Sequence, residues 1–109
     1  MPVYKKLVRD LIPQIIEKSG KQFKTKTLNE HEYETALKEK LQEEVTEYVD
    51  AETDHDRLEE LADILELIHA LAYSHGASFE QIESIRKDKV EKRGAYHDRI
   101  YLIEVQDDE

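Results

Sequence analysis

The chain has no cysteine and little glycine or proline, with three glycines and two prolines. Without cysteine, the protein cannot form disulfides, zinc-thiolate sites or thiol nucleophiles. The scarcity of glycine and proline favours long helices over a turn-rich β-protein. The sequence also lacks an apolar run of about 18 residues and the charged start and apolar stretch of a signal peptide. These absences predict a cytoplasmic, helical protein that does not enter a membrane.

Basic residues are outnumbered, with 16 Lys and Arg against 26 Asp and Glu, which gives a formal net charge of −10. This excess disfavours binding to nucleic acid or to anionic membranes and is typical of a protein that binds cations. A length of 109 residues with 39% hydrophobic residues predicts one domain, 1–109, with a small core. Because the core is small, we expect an oligomer in which two or more chains share it.

Apolar periodicity predicts four helices, at 11–19, about 30–51, about 56–74 and about 79–93. Asp10, Asn29 and Ser78 are the predicted N-caps of the first, second and fourth helices, because their side chains can accept hydrogen bonds from the first helical N–H groups. Two alternating segments, 22–28 and 99–105, are strand candidates that would pair as a small ribbon. The predicted fold class is therefore mainly α, with four helices and a two-stranded β ribbon.

The second predicted helix carries carboxylates beside its apolar stripe. With Leu41 at zero on a helical wheel of about 100° per residue, Glu44 lies near about −60° and Glu47 near about −120°. Glu44 is thus within the apolar face and Glu47 at its edge. Glu43 points almost opposite and is predicted to face solvent.

The third predicted helix repeats this arrangement. With Leu61 at zero, Glu60 lies near about −100° and Asp63 near about −160° on the same wheel. If the two helices pack antiparallel, four carboxylates converge. Two unit charges about 6 Å apart repel by roughly 3 kcal/mol at an effective dielectric of about 20, so the cluster needs a counter-charge. Hard divalent cations supply it, with Mg²⁺ the first candidate and Mn²⁺ an alternative.

A single Glu-x-x-Glu pair more often belongs to a solvated helix face than to a site. Two such pairs on successive helices, each beside an apolar stripe, favour a shared metal site instead. The remaining alternative from a different class is a helical dimerisation or adaptor module whose glutamates have no ligand. For such a module, Mg²⁺ should leave thermal stability unchanged.

The motifs EEVTE at 43–47 and ELAD at 60–63, separated by twelve residues, resemble the EExxE and ExxD motifs of the all-α NTP pyrophosphohydrolase superfamily. This superfamily includes the MazG-like proteins and the phosphoribosyl-ATP pyrophosphohydrolases. The stretches YKKLVRDLIP at 4–13 and KVEKRGAYHDRIYL at 89–102 are similar to further signatures of one of its branches. Together these motifs extend over most of the chain. One departure is Lys5, where the signature has Asn.

The resemblance implies a four-helix MazG-like fold that assembles as a homodimer or homotetramer. It also implies Mg²⁺-dependent cleavage of a nucleoside triphosphate between the α and β phosphates, giving the monophosphate and pyrophosphate. The residues that match the family's metal ligands are Glu44, Glu47, Glu60 and Asp63.

The resemblance further implies basic residues near the phosphates. Lys89 and Arg93 match those positions, and Lys92 is close enough in sequence to assist them. Glu47 is a candidate for the base that activates water, although the sequence leaves open which carboxylate acts. Two enzyme roles also remain open: removal of unwanted nucleotides, which we favour, and hydrolysis of phosphoribosyl-ATP in histidine synthesis.

Overall fold

The computed structural model describes residues 4–107, and within them it contains four α-helices. They are α1 (Ile12–Lys18), α2 (Glu30–Asp50), α3 (Asp54–Ser74) and α4 (Phe79–Arg93). The prediction of a mainly helical protein is confirmed, and the helices lie close to the predicted bounds. In the described part of the chain, no helix is both long enough and apolar enough to cross a membrane.

The chain divides into two units, one that ends at Phe79 and one that begins at Glu80. The first unit contains α1, α2 and α3. The second contains the rest of α4 and the residues that follow it.

Helix α2 begins at the predicted cap. The Asn29 side chain accepts a hydrogen bond from the Glu32 N–H at 2.8 Å, and the Asn29 N–H donates to Glu32 Oε1 at 3.2 Å. This reciprocal pair is a capping box, which satisfies two of the backbone donors that a helix start leaves open. The prediction of Asn29 as the N-cap is confirmed.

Helix α1 begins differently from the prediction. Its N-cap is Leu11, which makes no side-chain capping hydrogen bond, and not Asp10. The Ile12 N–H donates to the Arg9 carbonyl at 3.1 Å, so residues 9–12 form a turn with Asp10 inside it. The helix therefore starts one position later than the predicted cap allows.

Helices α2 and α3 pack against each other as an antiparallel hairpin. The link between them is residues 51–53, and short links join antiparallel neighbours. The start of α2 lies beside the end of α3, as an antiparallel arrangement requires. Glu34 Oε1 near the start of α2 is 3.9 Å from Nε2 of His75, which follows α3. Beyond α3 the backbone turns through Gly76 at φ +75°, a left-handed conformation that glycine adopts without strain.

The apolar core of the hairpin is small. Among the described residues the buried apolar side chains are Leu37 and Ala72, at 2% and 4% exposure. Val45, Leu61 and Leu65 match the apolar period of their helices, yet each is at least 44% exposed. Amphipathic helices are expected to bury their apolar stripes, but in a single chain these stripes are only partly covered, because a helix in a two-helix hairpin has only one neighbour to cover it.

The predicted β ribbon is absent from the described residues. Neither 22–28 nor 99–105 forms a strand, and nearly every residue in both segments is exposed. A lone two-stranded ribbon is marginal in water unless a third strand or a helix packs on it. Alternation alone was therefore insufficient evidence for strands here.

Candidate metal centre

Three carboxylates meet where α2 faces α3. Glu44, Glu60 and Asp63 each offer one oxygen, and these oxygens all lie within 4.8 Å of one another. Glu44 is 7% exposed, while the other two residues are half-buried. They converge because the hairpin is antiparallel, so the middle of α2 lies beside the first half of α3.

A second group of carboxylates shares Glu44 with the first. Oxygens of Glu43, Glu44 and Glu47 also lie within 4.8 Å of one another. The other three predicted ligands, Glu47, Glu60 and Asp63, thus each have an oxygen within 4.8 Å of a Glu44 oxygen. We call these three residues, Glu44 and Glu43 the carboxylate cluster.

Glu43 is the member of the cluster that the helical wheel assigned to solvent. It is exposed, as expected, but its flexible side chain still brings an oxygen close to Glu44 and Glu47. The amine of Lys40 lies 3.6 Å from Glu43 Oε1 and 3.8 Å from Glu44 Oε1. The helical wheel missed Glu43 because it treats side chains as rigid. The paired EE of the motif at 43–44 was the signal that could have identified it.

Two oxygens in the cluster are buried without a hydrogen-bond donor, Glu44 Oε2 and Glu60 Oε2. An ionised carboxylate only accepts hydrogen bonds, so two carboxylates that face each other cannot satisfy one another. Leaving a buried polar group unsatisfied costs about 1–3 kcal/mol, and more when it is charged. Either a shared proton or a bound cation would remove this penalty.

The surroundings raise two pKa values in the cluster. Burial raises the pKa of Glu44, and the nearby Glu60 carboxyl raises it further. The neighbouring Glu44 carboxyl is the main cause of a raised pKa at Glu47, and burial adds to it. In both cases the environment resists the ionised form, as expected for carboxylates brought together without a full counter-charge.

One cationic side chain reaches the cluster from outside the hairpin. Arg9 Nη2 donates a hydrogen bond to Asp63 Oδ1 at 2.7 Å, although the two residues are 54 positions apart in sequence. Sequence reasoning missed this contact. Arg9 lies in the 4–13 stretch that resembles a family signature, but neither periodicity nor spacing indicates which side chain of that stretch turns toward α3.

A cavity of about 290 Å³ opens beside the cluster, at the end of the hairpin where α2 leads into α3. Its lining residues are Glu47, Asp50, Ala51, Asp56, Glu59 and Glu60. At about 30 Å³ per water it could hold several solvent molecules. Because five of the six lining residues are acidic, a polyphosphate would be repelled from it unless cations accompanied the anion.

The cluster fits a hard divalent cation by its donor chemistry. All of its ligand atoms are carboxylate oxygens, which Mg²⁺ and Mn²⁺ prefer, and two of them are buried without donors. Glu44, Glu60 and Asp63 would hold one ion. Glu43 and Glu47, whose oxygens also lie within 4.8 Å of a Glu44 oxygen, could supply further ligands.

The three basic candidates for phosphate binding lie near the end of α4. Lys89, Lys92 and Arg93 are all exposed. They belong to the second unit, and their role at the phosphates stays a prediction.

None of the protein-family models matches the chain, and no curated protein or solved structure matches it either. The resemblance to MazG-like proteins therefore stays a prediction from the motifs at 43–47 and 60–63.

Proposed function

We propose that the protein is a Mg²⁺-dependent nucleoside triphosphate pyrophosphohydrolase that cleaves between the α and β phosphates. It would release a nucleoside monophosphate and pyrophosphate and would clear unwanted nucleotides from the cytoplasmic pool. The observation that carries this proposal is the buried Glu44 carboxylate, which has one oxygen without a donor and lies among Glu60 and Asp63.

The physical support is a charge imbalance that the fold does not correct by itself. At 4.8 Å, two ionised carboxylates repel by about 3.5 kcal/mol at an effective dielectric of about 20. Lys40 and Arg9 offset part of this repulsion, but neither contacts Glu44 Oε2 or Glu60 Oε2. A divalent ion would supply the missing positive charge, and polyphosphates are substrates that commonly share their Mg²⁺ with protein carboxylates.

When bound, Mg²⁺ neutralises phosphate oxygens and makes a coordinated water easier to deprotonate. The chain's own residues supply the rest. Glu44, Glu60 and Asp63 would hold the ion, and Glu47 would take the proton from the attacking water.

Lys89, Lys92 and Arg93 would contact the phosphates by charge-assisted hydrogen bonds. Arginine can grip two oxygens at once, whereas each lysine acts as a compact point charge. An acidic protein can bind a polyanion in this way because bound cations reverse the local charge.

We propose further that the protein is a homodimer or homotetramer in which a second copy covers the open apolar face of the hairpin. Val45, Leu61 and Leu65 on that face are 44–47% exposed. Burying such side chains contributes about 25 cal/mol per Å² of apolar area. Light scattering coupled to size exclusion tests this directly, and Leu61→Glu should shift the assembly toward the monomer.

The decisive test of the proposed activity is Glu60→Gln against Glu66→Gln. Both substitutions remove one negative charge from α3, but Glu66 is an exposed residue outside the cluster. We expect Glu60→Gln to abolish Mg²⁺-dependent hydrolysis while circular dichroism shows an intact fold, and Glu66→Gln to retain it. A panel of canonical and modified nucleotides, phosphoribosyl-ATP included, identifies the substrate.

Product analysis separates this proposal from its alternatives. Monophosphate and pyrophosphate support cleavage between the α and β phosphates, whereas diphosphate and phosphate contradict it. Full activity of Glu60→Gln would remove Glu60 from the mechanism. If Mg²⁺ changes neither activity nor thermal stability, the helical adaptor module is the better interpretation.

A further inference from the structure

Arg9 holds one oxygen of a carboxylate that belongs to the proposed metal centre. Its guanidinium contacts Asp63 Oδ1 at 2.7 Å. An Asp63 carboxylate oxygen also lies within 4.8 Å of oxygens from Glu44 and Glu60. The arginine therefore holds a positive charge at the edge of the group proposed to bind a divalent cation. A divalent ion bound there and this guanidinium would repel each other, since both are cations drawn to the same Asp63 carboxylate.

We propose that Arg9 is an internal counter-cation, which holds Asp63 while the metal is absent and gives it up when a divalent ion binds. This inference rests on the proposed metal-dependent function and deepens it, because it names a residue that sets how much metal the site requires. Arg9 is a positioning residue in this scheme, since it acts through Asp63.

Two observations support exchange of this contact. The Arg9 side chain is 61% exposed and that of Asp63 is 39% exposed, so water can replace each partner. Arg9 also precedes α1, in residues 4–9 that have no helical structure, so its side chain can leave without breaking a helix. By contrast, Glu44 is 7% exposed and its Oε2 has no donor, so water cannot easily take the place of a bound cation there.

The contact is weak enough for metal to displace it and strong enough to measure. Exposed ion pairs contribute about 0.2–1 kcal/mol, and 1.4 kcal/mol corresponds to a tenfold change in an equilibrium constant. Giving up the Arg9 contact should therefore weaken divalent binding up to about fivefold. In the metal-free protein, the same charge offsets part of the repulsion within the cluster.

The test measures Mn²⁺ binding to the full chain without nucleotide, by the electron paramagnetic resonance signal of free Mn²⁺. Arg9→Ala should bind Mn²⁺ about 1.4- to fivefold more tightly than the unsubstituted protein, since the competitor is gone. Arg9→Lys should fall between the two, because lysine keeps the charge but loses the planar fork. Lys6→Ala is the matched control, since it removes one positive charge from the same segment. The Lys6 amine lies over the Tyr4 ring, at 5.5 Å from its centre, and its substitution should leave Mn²⁺ affinity unchanged.

The outcomes separate this inference from the function on which it rests. If the unsubstituted protein binds Mn²⁺ and Arg9→Ala binds it equally or more weakly, the counter-cation role is overturned while the metal centre stands. If Lys6→Ala tightens binding as much as Arg9→Ala, the effect is general charge and the specific role of Arg9 is again overturned. If the unsubstituted protein binds no Mn²⁺, both the metal centre and the inference fail. Thermal unfolding in EDTA gives a metal-free check, because Arg9→Ala should melt at a lower temperature than Lys6→Ala.

Discussion

Replacing Glu44 by Gln should stabilise the metal-free protein, although Glu44 is the most buried charged residue described. Its oxygen lies within 4.8 Å of oxygens from Glu60 and Asp63, and each ionised pair at that distance repels by about 3.5 kcal/mol at an effective dielectric of about 20, or about 0.9 kcal/mol at that of water. The half-buried partners place the net effect between these limits. We expect an increase of about 1–3 kcal/mol in the free energy of unfolding.

The glutamine amide adds a second contribution, since it has N–H donors where the carboxylate has none. A Glu60 oxygen lies within 4.8 Å of a Glu44 oxygen, and Glu60 Oε2 is buried without a donor, so the amide would offer Glu60 a donor. Chemical denaturation in EDTA measures the change, and the melting temperature should rise by about 4 °C or more per kcal/mol. Glu39→Gln is the matched control, because it removes the same charge from an exposed position on α2.

The same substitution should have the opposite consequence when metal is present. A site filled to about 100 times its dissociation constant adds about 2.7 kcal/mol, and Glu44→Gln should lose most of that gain. A metal-free Glu44→Gln protein that is less stable than Glu39→Gln would refute the reasoning. It would mean that the Glu44 carboxylate already has adequate partners, so that no cation is required to explain its burial.

Three further predictions concern pH and local backbone structure. The pKa values of Glu44 and Glu47 are raised above 4.5 in the folded state, so the folded state binds those protons more tightly than the unfolded chain does. The free energy of unfolding in EDTA should therefore rise as pH falls from neutral through the raised values. Urea titrations from neutral pH to about pH 5 check this, and a steady loss of stability over that range would contradict it. Lys5 has a left-handed φ of +46°, which asparagine tolerates better, so Lys5→Asn should add up to about 1 kcal/mol while Lys6→Asn adds nothing. Asn29→Ala removes the cap of α2 and should cost about 1 kcal/mol in thermal unfolding followed by circular dichroism, and an unchanged melting temperature would show that the capping box contributes little.

The features that sequence predicted correctly are those set by local physics. Helix α2 has its boundaries close to the predicted ones because the Asn29 cap and the apolar period act within a few residues of each other. The approach of Glu44 to Glu60 followed from the same periodicity plus one assumption, that the helices pack antiparallel. The short link between the helices favours that packing.

The features that sequence missed depend on contacts between residues far apart in the chain, or on the lack of a neighbouring element to cover an apolar surface. The Arg9 contact joins residues 54 positions apart, and no local rule connects them. Val45 matches the apolar period but is 44% exposed, because periodicity identifies the face and not what covers it. The segments 22–28 and 99–105 alternate as strands do, but a two-stranded ribbon is marginal in water unless another strand or a helix packs on it.

At the cluster, local preferences and the fold disagree. At other positions of the hairpin they agree: Asn29 caps α2, Lys38 pairs with Glu34 one turn away, and Gly76 ends α3 in a left-handed turn. At Glu44, a buried position in an apolar stripe carries a charge and has an oxygen without a donor. Such conflicts are concentrated at functional sites, since a position chosen for stability alone would be apolar. A cation bound at Glu44 would resolve the conflict, so the same residue that weakens the metal-free fold would anchor the metal-bound one.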